Sequence, residues 1–478
     1  MSRRLLAAFL ALAAASAAQA SVVISTAPTS NMSCSAGSCT ATAADAVLNV
    51  DDLEGFLAAG NVTVTSGNVS QDIELDSPLS WPGTQKLTLS AAGSIRFNAV
   101  LTVAGAGALT LTPDSDASGD GTLRFAKKGH VAFSDTSSKL TIGGDKYKLV
   151  GSLRKLAKAA TGSAVRVALA RDIGEARKLY QMAPVANLDG IFEGLGNTIS
   201  HFQINGSDGQ VALIGQTSAA ASVRDLNLVS ADITHFGNSG NAAILIGNNF
   251  GTVQNVRATG AVHVTSSDGV VEAGGLVGTS FNAITSSQAA VDVTSSSKGS
   301  SGGLVGVLFA GCCFASLQTS FSTGAVSVSG NAAAAGGIVG FTQGGFVLDC
   351  YARGSVTGSA GNNVFGGLAG INTQGGSFEI LGTSYSTAAI SAPAGGIDGG
   401  AIGEDTSVNT RSVYWDLDTS GISDPSQGAG SPSNDRGVTG LHSAKLKAQL
   451  PSGFDPAIWG QDAHINSGYP YLLDNPPR

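Results

Sequence analysis

Hydrophobic and polar residues alternate in short runs along most of the chain. Ala108-Leu-Thr-Leu-Thr112 is typical of the first part, and Ser320-Phe-Ser-Thr-Gly-Ala-Val-Ser-Val-Ser329 is typical of the later part. A period of two places alternate side chains on one face of a β-strand. Gly, Ser and β-branched residues disfavour helix in these regions. The pattern therefore predicts many short strands, each with one buried face.

A glycine motif divides the later part of the chain into units. Gly274-Gly-Leu-Val-Gly278 recurs as Gly302-Gly-Leu-Val-Gly306, Gly336-Gly-Ile-Val-Gly340 and Gly366-Gly-Leu-Ala-Gly370, with looser copies before and after. The last residues of all the copies are Gly215, Gly247, Gly278, Gly306, Gly340, Gly370 and Gly403. Their steps of about 28 to 34 residues are typical of a solenoid. We expect a corner at each copy, where glycine permits a positive φ.

Stacking of these units explains why the motif repeats. A single strand pair cannot bury its apolar face alone, whereas copies stacked in register share one continuous core. We therefore predict an all-β fold, a right-handed parallel β-helix (a solenoid) with a short helical junction and a C-terminal cap. The cap is expected over the last coil because an open solenoid end exposes apolar side chains and unpaired strand edges.

Interruptions of the pattern predict five segments along the chain. Apolar residues at helical spacing predict a short helix at 149–158. The stretch 441–450 also suits a short helix, and 51–57 suits one short helical turn or a cap. The predicted segments are a signal peptide at 1–20, N-terminal β-helix coils at 21–149, a helix-containing junction at 150–205, repeat coils at 206–411 and the C-terminal cap at 412–478.

The first twenty residues have the organisation of a secretory signal peptide. Two arginines precede an apolar run from Leu5 to Ala17, and Ala18-Gln-Ala20 is a small-x-small cleavage site. The run is short for a membrane span. We expect cleavage after Ala20, with a retained anchor or a twin-arginine signal as alternatives. The protein is then secreted, either extracellular or at the cell surface.

Composition limits the partners that the chain can have. Hydrophobic residues make up 42% of the chain and charged residues 13%, and the 65 glycines are about twice the usual share. The hydrophobic content favours a packed solenoid over a flexible Gly/Ser chain. Signal cleavage removes two arginines and no acidic residue, so the formal net charge changes from −8 to −10. This charge argues against nucleic acid as a partner, and no later stretch predicts an integral membrane segment.

The five cysteines fit an exported protein. Cys34 and Cys39 lie in one Ser/Gly loop and are candidates for a small disulfide. Cys312, Cys313 and Cys350 leave one cysteine over, and a bridge between neighbouring coils is one alternative for them. Their spacing does not provide a full set of zinc ligands.

The chain resembles bacterial secreted β-helix proteins. The run Leu53-Glu-Gly-Phe-Leu-Ala-Ala-Gly-Asn-Val-Thr-Val64, with Trp81 and Leu87-Thr-Leu-Ser-Ala-Ala-Gly-Ser-Ile95, is similar to coils of filamentous-haemagglutinin-like proteins. The Gly-Gly-Leu-Val-Gly copies resemble the GLUG motif of surface proteins, which also occurs beside the catalytic domains of some immunoglobulin A-cleaving metalloproteases. The resemblance covers most of the chain after residue 20. It is specific for the fold, and it implies an adhesin-like function by analogy alone.

Residues for catalysis are sparse in the repeat coils. β-Helix enzymes that cleave polysaccharides carry clusters of carboxylates or basic groups on neighbouring coils, and the His-Glu-x-x-His zinc signature is absent here. The charged residues between 206 and 400 are scattered without a common phase, and they include Arg224, Asp225, Asp292, Asp349, Arg353 and Glu379. We therefore predict a non-enzymatic protein with no catalytic residues, no cofactor and no metal site.

Two patterns leave metal binding open as an alternative. His201, His235 and His263 follow strand residues at steps of about one repeat, so they are either a ladder that binds a transition metal or separate solvated side chains. Asp114-Ser-Asp-Ala-Ser-Gly-Asp-Gly121 resembles the start of a calcium loop, but the twelfth position is Phe125 instead of an acid. An ordinary Asp/Gly turn is the alternative for this stretch.

Basic residues concentrate before the repeats. This basic zone is either a solvated surface or a patch for acidic glycans, with nucleic acid as a weaker third option. Its members are Lys127, Lys128, Lys139, Lys146, Lys148, Arg154, Lys155, Lys158, Arg166, Arg171, Arg177 and Lys178.

The sequence leads to one functional prediction with two alternatives. Long Ser/Thr/Asn-rich faces suit extended contact, so we predict a secreted or cell-surface, adhesin-like solenoid that binds glycans or host or matrix surfaces without catalysis. One alternative is a polysaccharide-processing β-helix enzyme, either a lyase or a hydrolase. The other is a structural spacer of an exported matrix.

Overall fold

The strands wind into a β-solenoid. The computed structural model describes residues 20–119, 121–176, 178–207, 209–311, 315–331, 333–374 and 380–477. In this part of the chain 50% of the residues are in strands and 6% in helices, and the solenoid makes about 11 turns. The predicted all-β solenoid is confirmed. The predicted signal peptide lies outside the described residues, apart from Ala20.

The N-terminal coils, residues 21–142, stack their strands into parallel faces. Leu87, Leu109 and Leu140 occupy one register position on neighbouring coils, and all three are buried. One face contains Ser21–Ser25, Ala46–Asn49, Asp72–Leu75, Ile95–Phe97 and Leu123–Phe125; another contains Leu79–Trp81, Val100–Val103 and His130–Phe133; a third contains Met32–Ser35, Ser38–Ala41, Val62–Thr65, Lys86–Ser90, Ala108–Thr112 and Lys139–Ile142.

A helix packs at the end of the N-terminal coils. Helix α1, Val50–Ala59, is capped by Asn49, whose side chain accepts hydrogen bonds from the backbone amides of Asp51 and Asp52. It follows the outermost strand of its face, and it buries Leu53 and Leu57. The helix is longer than the turn predicted at 51–57. It covers apolar surface that an open solenoid end would expose.

The C-terminal coils, residues 145–441, have three faces. The first face contains Asp145–Val150, Val165–Leu169, Ile173–Gly174, Leu179–Tyr180, Gly190–Glu193, Thr198–Ser200, Gln203–Gly206, Ser222–His235, Thr252–Val264, Ile284–Thr285, Gln288–Ser295, Ser316–Gln318, Phe321–Ser322, Val326–Val328, Phe346–Leu348, Tyr351–Ala352, Ser355–Gly358, Ile380–Ser386, Ala389–Ser391, Arg411–Asp416 and Val438–Leu441. The second contains Val185–Leu188, Ile214–Thr217, Ile246–Asn249, Val277–Ser280, Val305–Phe309, Val339–Gln343, Ala369–Thr373, Ile402–Asp405 and Ala429–Ser431. The third contains Gly209–Val211, Ser239–Ala243, Val270–Gly274, Ser301–Gly302, Ala334–Gly336, Val364–Gly366 and Ile397–Gly399.

The two sets of coils meet at a hairpin that reverses the strand direction. Lys139–Ile142 pairs antiparallel with Asp145–Val150, which then runs parallel to the strands of the C-terminal coils. The helix predicted at 149–158 begins later, because Leu149 and Val150 belong to the strand. Helix α2 is Leu153–Ala159. The Ser152 side chain caps it by accepting a hydrogen bond from the Lys155 amide.

Direct backbone contacts join the two sets of coils along a boundary that we call the seam. The Val131 amide donates to the Leu195 carbonyl at 3.0 Å, and the Phe133 amide donates to the Ala170 carbonyl at 2.6 Å. The buried side-chain amide of Asn197 donates to the Val131 carbonyl at 2.8 Å. The last N-terminal coil therefore stacks on the first C-terminal coil, although their strands run in opposite directions at the hairpin.

The glycine motif forms the corner between the third and second faces. In the copy at 274–278, a Cβ on Gly275 would lie within 3.0 Å of the Gly303 carbonyl oxygen of the next coil, which is closer than real Cβ atoms approach. The expected positive φ is wrong for the final glycines of the seven copies, since none of them has one. Glycine is required here because the backbones approach closely.

A ladder of small polar residues runs through the inside of the first face. The Ser287 amide donates to the Ser320 hydroxyl at 3.1 Å, and the Cys350 amide donates to the Ser384 hydroxyl at 3.0 Å. Cys350 is a buried free thiol that donates to the Leu348 carbonyl at 3.2 Å, and burial raises its pKa. It therefore takes a serine position in the ladder. Cys312 and Cys313 lie outside the described residues, whereas Cys34 and Cys39 form a disulfide across their hairpin.

The C-terminal segment, residues 442–477, packs along the outside of the first face. The cap expected to begin at 412 starts later, because Arg411–Asp416 and Val438–Leu441 are still paired coil strands. The helix expected at 441–450 is shorter, as helix α3 spans Ser443–Leu446. Trp459–Gly460 and Tyr471–Leu472 then pair antiparallel. The segment covers the flank of the coils, which a cap over the last coil would leave exposed.

Aromatic rings anchor this segment. Phe321, Tyr351 and Tyr385 stack on consecutive coils with ring centroids 4.5 and 5.3 Å apart. Trp459 of the segment packs against both tyrosines and donates from its indole nitrogen to Asp349 at 3.0 Å. The segment hides an aromatic row that the coils alone would present to solvent.

The glycine corners give the first prediction. Gly275→Ala should destabilise the fold by about 1 to 3 kcal/mol, because an added methyl group displaces the next coil. Gly55→Ala is the matched control: it lies in α1 with open space around its Cβ position, and alanine there should raise stability by about 0.5 to 1 kcal/mol. Urea unfolding midpoints measure both changes. Equal midpoints for the two variants would contradict the close-approach explanation.

Candidate functional site: the groove at the seam

A groove of about 720 Å³ lies at the seam. Strand direction and coil shape change there, so the two stacks leave a concavity on the flank. The N-terminal coils contribute Arg96, Arg124 and Lys127; the hairpin contributes Asp145 and Tyr147; the C-terminal coils contribute Arg224, Asp225, Gln254, Asn255 and Arg257; the C-terminal segment contributes Leu473, Asp474 and Pro476. We call this the seam groove.

Three arginines of the seam groove are held by carboxylates. Arg96 pairs with Asp72 at 3.0 Å, and Arg224 pairs through Nε with Glu193 at 2.7 Å. Arg124 pairs with Asp474 of the C-terminal segment at 2.7 Å. These pairs fix the shape of the walls and cancel much of the local charge.

Two further cations of the groove have no such partner. Within the described part of the chain, the side chains of Lys127 and Arg257 make no ion pair or hydrogen bond, and the Arg257 Nη1 atom is buried without an acceptor. A buried guanidinium nitrogen without an acceptor is costly, since it has lost its water. The lining of the groove therefore includes a guanidinium nitrogen that lacks the acceptor which an anionic group supplies.

A buried pair of carboxyl groups lies behind the groove wall. Glu193 and Asp225 come from adjacent coils and are hydrogen-bonded to each other. Glu193 also accepts from the Leu195 amide at 2.9 Å, and Asp225 accepts from Asn255 at 2.6 Å. Glu193 is fully buried and Asp225 is 6% exposed, so only Asp225 reaches the groove.

The pair holds a proton because its members share one buried site. Burial raises the pKa of Asp225 well above its ordinary value, and the adjacent Glu193 charge raises it further. Burial also raises the pKa of Glu193, but Arg224 opposes this rise. Asp225 is therefore the member that holds a proton to the higher pH, and while protonated it donates to Glu193. Tyr147 completes the cluster, as its hydroxyl accepts from Arg224 at 3.2 Å.

Local backbone geometry places Asp225 at this position. Its φ is 56°, in the left-handed region that Asp and Asn tolerate better than most residues. The following coils repeat the left-handed residue at nearly the same register, at Asn255, Ser286, Thr319, Asp349, Thr383 and Ser412. The sequence reveals Arg224 and Asp225 as neighbours, but Glu193 lies 32 residues before Asp225 and joins it only through the coil register.

The other charged residues of the repeats do not join this cluster. Asp292 accepts from the Ala325 amide at 2.9 Å, Asp349 accepts from Trp459, and Arg353 donates to Asn466. Glu379 lies outside the described residues. The charged residues Asp292, Asp349 and Arg353 are therefore scattered, as expected. Arg224 and Asp225 differ from that expectation, because they cluster with Glu193.

The three histidines do not form a ladder. His235 pairs in register with Val264, whereas His263 pairs with Thr234, so their side chains belong to different positions. His201 is exposed in a turn, and His235 is fully buried instead of solvated. In the ranges that the structure describes, no group of three or more His, Cys, Asp or Glu residues is placed to hold a metal ion.

The predicted Asp/Gly stretch uses its carboxylates to hold its own backbone. Asp114 accepts from the Gly119 amide at 2.8 Å, and Asp116 accepts from the Ser118 amide at 3.1 Å. This is the hydrogen bonding of an Asp turn. Asp120 lies outside the described residues.

The basic zone is divided by the fold. Lys127 lines the groove, whereas Arg154 and Lys155 are exposed on α2. Arg166 pairs with Asp145 at 3.1 Å, and Lys178 lies over the Tyr180 ring. Arg177 lies outside the described residues. These described members of the basic zone therefore lie in different surroundings.

Comparisons with known proteins give partial similarities. No family model matches the chain. The chain is 31% identical over 126 residues to halomucin of Haloquadratum walsbyi, a match that spans 26% of this chain and 1% of halomucin. The solved structure of a proposed immunoglobulin A1 protease from Bacteroides ovatus aligns with a TM-score of 0.46 at 16% identity, over 69% of this chain and 93% of that one. Among the described residues, no helix is long and apolar enough to cross a membrane.

The carboxyl pair gives a prediction about pH. The pKa of Asp225 is higher in the folded chain than in the unfolded chain, so its stabilising contribution is complete below the ordinary value and is lost as pH rises through the raised pKa. The native chain should lose stability on this account from about pH 4 upwards. Asp225→Asn mimics the protonated acid, so this loss should disappear.

Urea unfolding midpoints across pH measure the effect. Asp292→Asn, on an exposed residue of the same face, is the control and should keep the native pH dependence. The shared-proton assignment is wrong if Asp225→Asn retains that dependence.

Proposed function

We propose that this protein is an exported, non-catalytic solenoid that binds acidic glycans in the seam groove. The observation that carries the proposal is the pair of unpartnered cations, Lys127 and Arg257, in a groove whose other arginines are already neutralised. Anionic sugars offer carboxylate or sulfate groups at regular spacing, and guanidinium groups bind such oxyanions with charge-assisted hydrogen bonds.

The shape and chemistry of the groove support a sugar ligand. The groove is lined by both sets of coils and by the C-terminal segment, and it is open to solvent. Asn255, Gln254 and the Tyr147 hydroxyl provide neutral hydrogen-bonding groups beside the cations. Sugar hydroxyl groups need such partners when they lose water.

The export part of the proposal rests on other observations. The N-terminal residues have the composition of a signal peptide, and Cys34 and Cys39 form a disulfide, which is typical of exported proteins. The partial similarity to halomucin supports a place at the cell surface or outside the cell. The resemblance of the glycine corners to the GLUG motif supports the same class of protein.

Calorimetric titration tests the binding proposal. The ligand is an oligogalacturonate of six sugars, and its fully methyl-esterified form is the neutral comparison. Arg257→Gln should weaken binding at least about tenfold, because a hydrogen bond between charged groups is lost. Arg154→Gln removes the same charge from the exposed face of α2 and should leave affinity unchanged. Equal affinity for the acidic and the esterified ligand would contradict the proposal.

The carboxyl pair favours one second candidate, a polysaccharide-processing enzyme. Burial raises the pKa of Asp225, and this residue borders the groove, as a general acid must. Glu193, however, is fully buried, and the Leu195 amide and Arg224 occupy its oxygens. It cannot contact a substrate, so the pair serves better as a structural support for Arg224.

An end-group assay separates the two functions. The native chain incubated with polygalacturonate should release no new reducing or unsaturated ends. Release that disappears in Asp225→Asn would replace the binding proposal by catalysis. Asp292→Asn is the control for an unspecific effect of removing one acid.

A further inference from the structure

We propose that Asp474 is a built-in competitor that occupies Arg124 of the seam groove and is displaced by an acidic glycan. The inference rests on the proposed function and adds its regulation. The C-terminal segment reaches the groove and contributes Leu473, Asp474 and Pro476 to a wall otherwise built from coils.

The Asp474 carboxylate has the chemistry of the proposed ligand. It binds Arg124 of the N-terminal coils at 2.7 Å, across a sequence separation of 350 residues. A uronic acid would present the same carboxylate to the same guanidinium. Among the ion-paired arginines of the groove, Arg124 has a partner from the C-terminal segment, whereas the partners of Arg96 and Arg224 belong to coil strands.

Because both partners of this ion pair are exposed, replacing Asp474 by another anion costs little free energy. Arg124 is 37% exposed and Asp474 is 70% exposed, and exposed pairs of this kind contribute little to stability. By contrast, the pair of Arg224 with the fully buried Glu193 cannot open without leaving a charge in the core. An incoming anion therefore competes at Arg124 and leaves the other pairs intact.

The neighbouring residue limits the motion to one side chain. Asn475 is 1% exposed. Its side-chain amide donates to the Ser287 and Thr319 carbonyls, and its oxygen accepts from Gln288 at 2.9 Å. The backbone next to Asp474 is thus fixed to the coils. Displacement of Asp474 then requires a rotation of its side chain, and the C-terminal segment stays in place.

The test compares two variants of equal charge. Asp474→Asn removes the competing carboxylate and should raise the affinity for the six-sugar oligogalacturonate by about twofold to fivefold, the range expected when an exposed ion pair no longer competes. Asp462→Asn removes an exposed acid elsewhere in the same segment, so it should leave affinity unchanged. The methyl-esterified oligomer should bind both variants and the native chain equally.

The outcomes distinguish this inference from the proposed function. A gain confined to Asp474→Asn supports competition. The same affinity in Asp474→Asn and Asp462→Asn, together with a loss in Arg257→Gln, overturns the competitor and leaves glycan binding intact. No binding by the native chain or by either Asp variant overturns the proposed function, and the competitor with it.

Discussion

The hydrogen-bonded spacing between parallel coils determines what every other part of this protein can be. Backbone ladders hold neighbouring coils about 4.8 Å apart, so any atom placed between them must fit that gap. At the glycine corners the gap has no room for a Cβ, as Gly275 against Gly303 demonstrates. Along the first face the same gap suits stacked rings and small hydroxyl groups, which explains both the aromatic row and the serine ladder.

The functional cluster is a product of this spacing as well. Residues one coil apart become neighbours whatever their distance in the chain, so Glu193 meets Asp225 and Asp225 meets Asn255. Burial and the charge of the neighbouring Glu193 raise the pKa of Asp225, and the ion pair with Glu193 holds Arg224 at the groove. The four arginines of the groove have fixed backbone positions because strands carry them.

Local pattern was sufficient to predict what repeats, and insufficient for what occurs once. Alternation and the glycine corners indicate strands and stacking, because each coil solves the same packing problem. The spacing of Leu149 and Val150 predicts a helix, but in the structure they pair with Ala168 and Leu169 of a neighbouring strand. Tertiary pairing outweighs local preference here. The contact of Arg124 with Asp474 has no local signal, because it depends on how the last residues return along the flank.

The return of the C-terminal segment ties the number of coils to the length of a tether. Most solenoids can gain or lose a repeat with little effect beyond their length, since each repeat contacts only its neighbours. Here the chain leaves the last coil strand at Leu441 and must still reach Gln288 with Asn475 and Arg124 with Asp474. An inserted coil would move the start of the tether about 4.8 Å away from its end points. The length of the C-terminal segment thus limits the number of coils. A coil can be gained or lost only if the length of this segment changes as well.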